Sequence, residues 1–209
     1  MKLYSYWRST TSYRVRIALH MKSIAHEIIP VDLVKGEHRN ATCQLINPAK
    51  GVPILILEDG SVLTQSLAIL RYLDKTYPDP PLLPENPFDA AQVEATSLII
   101  ATDIHPVNNL KVTNKFRELG HSQEAVVSWM KHWMREGLFA FTTLLRDGPF
   151  CFGSHPSLAD ICLIPQLYNA RRWGADLSEL GRLIEIEQNC LQLESFQLAE
   201  PDRQIDAKK

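Results

Sequence analysis

Residues Trp7-Arg8-Ser9-Thr10-Thr11-Ser12 place an arginine and four consecutive hydroxyl side chains immediately ahead of the run Tyr13-Arg14-Val15-Arg16-Ile17-Ala18-Leu19. The first amides of a helix have no partner inside it, so a helix entered through Ser and Thr is capped and also attracts anions. A thiolate suits such a place. Two readings stand on these residues alone: helix capping, which needs a single short oxygen side chain, and a reactive centre in this loop, drawing on Arg8 and the hydroxyls of Ser9, Thr10, Thr11 and Ser12. Four hydroxyls behind an arginine exceed what one cap uses, which favours the reactive centre.

Other candidates lie further along. Gln65-Ser66 opens an amphipathic run with apolar residues at 67, 69, 70, 73 and 77, and Ser66 is placed to cap it. Pro53 opens an apolar stretch, either as an ordinary trans proline at a strand start or as a cis turn. Ser157-Leu158-Ala159-Asp160 has the spacing of a capping box with Asp in place of Glu or Gln, which assigns the pair to folding. Arg171-Arg172 suits a helix C-terminus by charge, the favoured reading for such a pair on its own, with a carboxylate-binding fork as the alternative. Cys43, Cys151, Cys162 and Cys190 have no C-x-x-C spacing, so zinc and a redox dithiol are not expected, and free buried thiols are.

The elements that must position these residues divide in two. Lys2 to Tyr6 and Ala25 to Val31 read as parallel strands joined by a crossover helix. Ile54 to Leu57 and Ser61 to Leu63 flank Asp59-Gly60 as an antiparallel hairpin. Pro78, Pro80, Pro81, Pro84 and Pro87 then break the pattern as a linker. Beyond it helices are expected over 90–116, 123–145, 158–173, 177–189 and 191–198, with a frayed polar tail over 200–209. The expected domains are residues 1–79, α/β, and residues 80–209, all-α.

Composition excludes several classes. With 22 basic against 24 acidic residues there is no basic excess for a phosphate backbone, so nucleic acid is not an expected partner. The apolar runs are far shorter than the roughly 18 residues needed to span a bilayer, and Lys2-Leu3-Tyr4-Ser5-Tyr6 lacks the pattern of a signal peptide. A cytoplasmic protein with no membrane contact is expected.

The order of these elements, together with a set of short motifs, resembles the zeta class of soluble glutathione transferases, the maleylacetoacetate isomerases. The motifs are Tyr6-Trp7-Arg8-Ser9, Arg14-Val15-Arg16-Ile17-Ala18-Leu19, Asn47-Pro48 with Val52-Pro53, Gln65-Ser66-Leu67-Ala68-Ile69, Asp103-Ile104-His105-Pro106, and Leu158-Ala159-Asp160 with Pro165-Gln166. The resemblance spans nearly the whole chain. It implies glutathione transferase architecture: a thioredoxin-like N-terminal domain that binds glutathione as cofactor, then an all-α domain that contributes the substrate pocket. It implies Ser9 as the catalytic serine, and His38, Lys50, Val52, Pro53, Gln65, Ser66 and His105 along the glutathione site. It also implies a homodimer.

The activity implied is cis-trans isomerisation of maleylacetoacetate to fumarylacetoacetate, a step of aromatic amino acid breakdown, by reversible addition of the glutathione thiolate to the double bond. Arg8, Asn109, Lys111 and Arg172 are then expected to hold the small anionic substrate, with no metal. Lowering a thiol pKa of about 8.5 by two units takes about 2.7 kcal/mol, which one hydroxyl donor and one helix N-terminus can supply together. Maleylpyruvate isomerase, a broad transferase acting on halogenated acids, and a non-catalytic binding scaffold of the same fold remain as alternatives. One departure stands out. Many zeta members carry Ser-Ser-Cys after the arginine, whereas this chain has Ser9-Thr10-Thr11, so no sulfur is available there for dithiol chemistry.

Overall fold

The structure, a computed structural model, describes residues 1–208. By internal contacts the chain forms two units, residues 1–81 together with 191–209 as the first and 82–190 as the second.

The first unit is built on a four-stranded sheet of order β2-β1-β3-β4, with β1 at Lys2–Ser5, β2 at Glu27–Pro30, β3 at Ile54–Ile56 and β4 at Val62–Thr64. β1 runs parallel to β2 from Lys2↔Glu27 to Ser5↔Pro30, as a crossover demands, and β3 is antiparallel to both β1 and β4. This mixed sheet, with β1 and β2 joined through α1 (Thr10–Met21) and the hairpin followed by α3 (Ser66–Thr76), is thioredoxin-like. A short α2 (Ala41–Ile46) is capped by Asn40, whose Oδ1 accepts from the Cys43 amide. α1 is buried from Ser12 to Leu19, and that stretch includes two arginines.

The final segment belongs to this unit. α9 (Glu194–Ala199) packs on α1, and a 3₁₀ turn at Pro201–Arg203 follows. The expected fraying of 200–209 is not what the described residues show: Pro201 is buried, Asp206 Oδ2 accepts from the Trp7 amide at 3.0 Å, and Lys208 pairs with Asp32 at 3.6 Å. Polar composition hid this because the anchors are individual side chains rather than a periodic face.

The second unit is helical: α4 (Pro87–Leu98), α5 (Leu110–Glu118), α6 (Gln123–Thr142), α7 (Leu158–Arg172) and α8 (Gly181–Cys190). The single helix expected over 90–116 is broken. α4 passes into a π-helical turn over Ile99–Ile104, then a 3₁₀ turn over Pro106–Asn108, before α5 starts. A methyl group at Gly137 of α6 would collide with Ile104, so the glycine is what lets the π turn lie against α6. The capping box forms: Asp160 Oδ2 accepts from the Ser157 amide at 2.8 Å, and Ser157 Oγ accepts from the Ala159 amide at 3.3 Å. Among the described residues no helix is long and apolar enough to cross a membrane.

Candidate functional site

The loop from β1 to α1 positions Ser9 by three contacts. Its amide donates to the Tyr6 carbonyl at 2.9 Å, its Oγ accepts from the Ser12 amide at 3.2 Å as the N-cap of α1, and Oγ lies 2.9 Å from Thr11 Oγ1. Thr11 Oγ1 in turn donates to the Val52 carbonyl at 2.9 Å. One hydroxyl chain therefore joins Ser9, Thr11 and Val52, three of the residues singled out in sequence. Pro53, buried after a cis Val52–Pro53 bond, fixes the loop on the far side of that chain. Thr10 is buried at the first position of α1.

Arg8 lies 4.4 Å over the Trp7 ring and donates from Nη2 to the Tyr6 hydroxyl at 3.3 Å. Stacking on an indole fixes the plane of the guanidinium, which is what a bidentate anion contact requires.

The start of α3 differs from the sequence expectation. Gln65, not Ser66, holds the N-cap position, with φ +68° and no side-chain hydrogen bond to the helix. Ser66 is the first helical residue, and its buried Oγ accepts from Arg14 Nη1 at 3.3 Å. The α3 N-terminus therefore lacks a side-chain cap and has a buried guanidinium behind it. Both features favour a carboxylate there. Positive φ in a residue other than glycine costs on the order of 1–3 kcal/mol and gathers at functional sites. Among the described residues only Ser23, Lys50 and Gln65 adopt it, and the last two are expected glutathione contacts.

Lys50 has an exposed side chain, and its amide donates to the Asn47 carbonyl at 2.9 Å. His38 is buried on a 3₁₀ turn, outside the hydroxyl chain. Burial first and the neighbouring Arg39 second hold its pKa below the usual value, so the ring is neutral at pH 7. Because Arg39 Nε donates to Nε2 at 3.2 Å, the hydrogen sits on Nδ1.

In the second unit, His105 follows the π turn and its Nε2 lies 3.4 Å from Asn109 Nδ2. Asn109 caps α5 by accepting from the Lys111 amide at 3.1 Å, and the Lys111 side chain is exposed. Trp129 Nε1 donates to the Val107 carbonyl at 3.0 Å, pinning this segment to α6. Arg172 ends α7, exposed and stacked 4.8 Å over Trp173.

All four cysteines are free and buried. Burial first and the neighbouring Asp160 second push the thiols of Cys151 and Cys190 up. The chain's own thiols in that cluster are therefore poor nucleophiles at neutral pH.

Two supporting residues escaped the sequence reading. Arg14 serves the start of α3, and Arg16, fully buried, donates from Nη2 to Trp7 O (3.0 Å), from Nη1 to Ser5 Oγ (3.1 Å) and from Nε to Ala199 O (3.0 Å). Their signal was present: two charges inside a run of Val, Ile, Ala and Leu must find buried acceptors.

Comparison with known proteins agrees with this geometry. Residues 8–76 match the glutathione S-transferase N-terminal domain and residues 134–189 the glutathione S-transferase C-terminal domain. Maleylacetoacetate isomerase of Pseudomonas aeruginosa is 41% identical over 208 residues, covering 99% of this chain and 98% of the relative. Among solved structures, a holo maleylpyruvate isomerase described as a bacterial zeta-class glutathione S-transferase superposes with a TM-score of 0.97 at 37% identity, over 100% of both chains. Maleylacetoacetate isomerase of Methylobacterium extorquens AM1, with bound malonate and GSH, superposes with a TM-score of 0.96 at 35% identity, again over 100% of both. With both domains matched and identity at this level over the full length, the chain belongs to the glutathione S-transferase family, in the zeta class that holds the maleylacetoacetate isomerases.

Proposed function

We propose that this protein is a glutathione-dependent isomerase converting maleylacetoacetate to fumarylacetoacetate. The observation that carries the reading is Ser9 at the N-terminus of α1, its Oγ oriented by the Ser12 amide and by Thr11.

Glutathione brings two carboxylates, an amine and a thiol, and the residues of the first unit fit such a molecule. The uncapped start of α3, with Arg14 behind Ser66, suits a carboxylate, and Gln65 and Ser66 are assigned to the γ-glutamyl end. Val52 beside the cis proline offers backbone groups to an extended peptide. Lys50, His38 and His105 complete the proposed lining. When bound, glutathione supplies a thiolate that adds reversibly to the substrate double bond and so permits rotation about it.

The chain's part is electrostatic. Ser9 turns its hydroxyl hydrogen toward the sulfur and, with the α1 amides, favours the anionic form. Arg8 and Arg172 bind the substrate's carboxylate and oxo groups, Lys111 adds a point charge, and Asn109 orients a carbonyl. Residues 1–79 thus supply most of the cofactor contacts and, through Arg8, one substrate contact, while the helical residues within 80–209 contribute Asn109, Lys111 and Arg172 to the substrate and His105 to the cofactor. The protein is further assigned as a cytoplasmic homodimer. Sedimentation giving a monomer at micromolar concentration would refute the dimer.

The deciding experiment measures glutathione-dependent loss of maleylacetoacetate and of maleylpyruvate at matched concentrations. Turnover that requires glutathione and has the higher kcat/KM on maleylacetoacetate is expected. Preference for maleylpyruvate reassigns the substrate, reaction only with halogenated acids indicates a broad transferase, and no turnover of any electrophile leaves a binding scaffold.

A further inference from the structure

The hydroxyl chain at the start of α1 has a direction, and the direction assigns a role to Thr11. A threonine hydroxyl has one hydrogen and a carbonyl oxygen only accepts, so the 2.9 Å contact from Thr11 Oγ1 to Val52 O uses the Thr11 hydrogen. Between Ser9 Oγ and Thr11 Oγ1, also 2.9 Å apart, the donor must then be Ser9. The Ser12 amide fills one Ser9 lone pair. What Ser9 has left to offer is a second lone pair, which can accept from a protonated thiol but gives nothing to a thiolate.

We propose that Thr11 is a positioning residue that holds the Ser9 hydrogen while the cofactor sulfur is protonated and competes with the sulfur for that hydrogen once the thiolate forms. Ser9 needs only to rotate about its C–O bond to change partner. Thr11 keeps its own bond to Val52 throughout, so the exchange moves one hydroxyl hydrogen and no backbone, while the thiol proton leaves to solvent. The idea rests on the Ser9 assignment above and sharpens it. Thr11 opposes thiolate formation by about the strength of one neutral hydrogen bond instead of assisting it.

Charged groups near this chain include Arg8 beside it, Arg14 and Arg16 on α1, and Asp206, which accepts from the Trp7 amide. All four are the same in every variant below and cancel in the comparison.

The test is a pH titration of thiolate ultraviolet absorbance in the glutathione complex of the full-length protein, for the parent, Thr11→Val, Thr11→Ala, Thr11→Ser and Ser9→Ala, with the acid limb of the kcat profile alongside. Thr11→Val and Thr11→Ala remove the competing acceptor and should lower the thiol pKa by about 0.5 to 1 unit, one neutral hydrogen bond at tenfold per unit. Thr11→Ser, which keeps the acceptor, should titrate with the parent. Ser9→Ala should titrate higher. A merely structural Thr11 would weaken glutathione binding without moving the titration, and an assisting Thr11 would raise the pKa on removal. Either result overturns the proposal while leaving Ser9 in place. An unmoved titration in Ser9→Ala would instead bring down the Ser9 reading and this one with it. Thr11→Ala keeps the question decidable should valine disturb the helix start.

Discussion

Arg16→Met is the most exacting check on how the site is supported. Arg16 is fully buried and donates to Trp7 O, Ser5 Oγ and Ala199 O, so it ties the loop that carries Arg8 and Ser9 to the end of α9. Methionine fills a similar volume but donates nothing. Three acceptors lose their partner out of reach of water, at about 1–3 kcal/mol each, or about 3–9 kcal/mol in all. The Tyr6 carbonyl, 3.5 Å from Nη1, keeps the Ser9 amide and is not stranded. Against the loss stands relief of a buried charge, an effect of several kcal/mol. The net destabilisation should therefore be about 2–4 kcal/mol. With a urea m-value of about 2–3 kcal/mol/M, the unfolding midpoint should fall by about 0.7–2 M. Limited proteolysis should cleave around 191–199 sooner, and glutathione should bind more weakly. Arg16→Lys should not restore the parent, because one ammonium cannot serve three acceptors in three directions. A midpoint within about 0.2 M of the parent, with the 191–199 segment still protected, would refute this account of the clamp.

Ser9→Ala should lower turnover by about 10²-fold, equivalent to about 2.7 kcal/mol of transition-state stabilisation, and full activity in this variant would remove Ser9 from the chemistry. Ser66→Ala should raise the glutathione Kd measured by calorimetry and also lower the urea midpoint, because Arg14 Nη1 loses a buried acceptor; an unchanged Kd would take Ser66 out of the cofactor site. Arg172→Ala should raise KM for a dicarboxylate by an amount near the 2–5 kcal/mol of a desolvated pair or the 0–1 of an exposed one, sparing a neutral chloronitrobenzene; equal loss on both substrates would reassign the residue. His20 is held at a pKa of about 4 by burial first, then by His26 and Arg16. The unfolded chain protonates near 6.5 and the folded one does not, so stability should fall as pH drops from about 6.5 toward 4, and more shallowly in His20→Gln; identical pH dependence would show the shift to be absent.

The parts legible in sequence were those with a local cause. The hairpin follows from Asp59-Gly60, the parallel pairing of β1 and β2 from a crossover helix, and the Ser157–Asp160 box from its spacing. The cap at the start of α1 was legible because a helix entered through Ser and Thr is capped by one of them, and Ser9 takes that place. The illegible parts depend on distant partners. Apolar residues continue through 99–104, and the close approach of Ile104 to Gly137 on α6, 33 positions further along the chain, has no local sign. Gln65 displaced Ser66 from the N-cap because Ser66 Oγ is used by Arg14, and hydroxyl capping statistics cannot anticipate a buried guanidinium from another helix.

Arg14 and Arg16 show how far a charge inside an apolar helix can be read. At 3.6 residues per turn, positions two apart point roughly 200° away from each other, so a pair spaced this way cannot share one set of acceptors. A buried guanidinium without acceptors is not tolerated, which means α1 must have polar neighbours on two sides. The structure supplies them as the start of α3 for Arg14 and as the β1–α1 loop with the end of α9 for Arg16. The two candidate anion sites of the first unit, at Ser9 and at Ser66, are therefore braced by one helix. A single turn of α1 fixes both, and the residues after 190 are mechanically part of the support because Ala199 closes the Arg16 fork. Loss of α9 should for that reason weaken glutathione binding even though no residue of α9 is proposed to touch it.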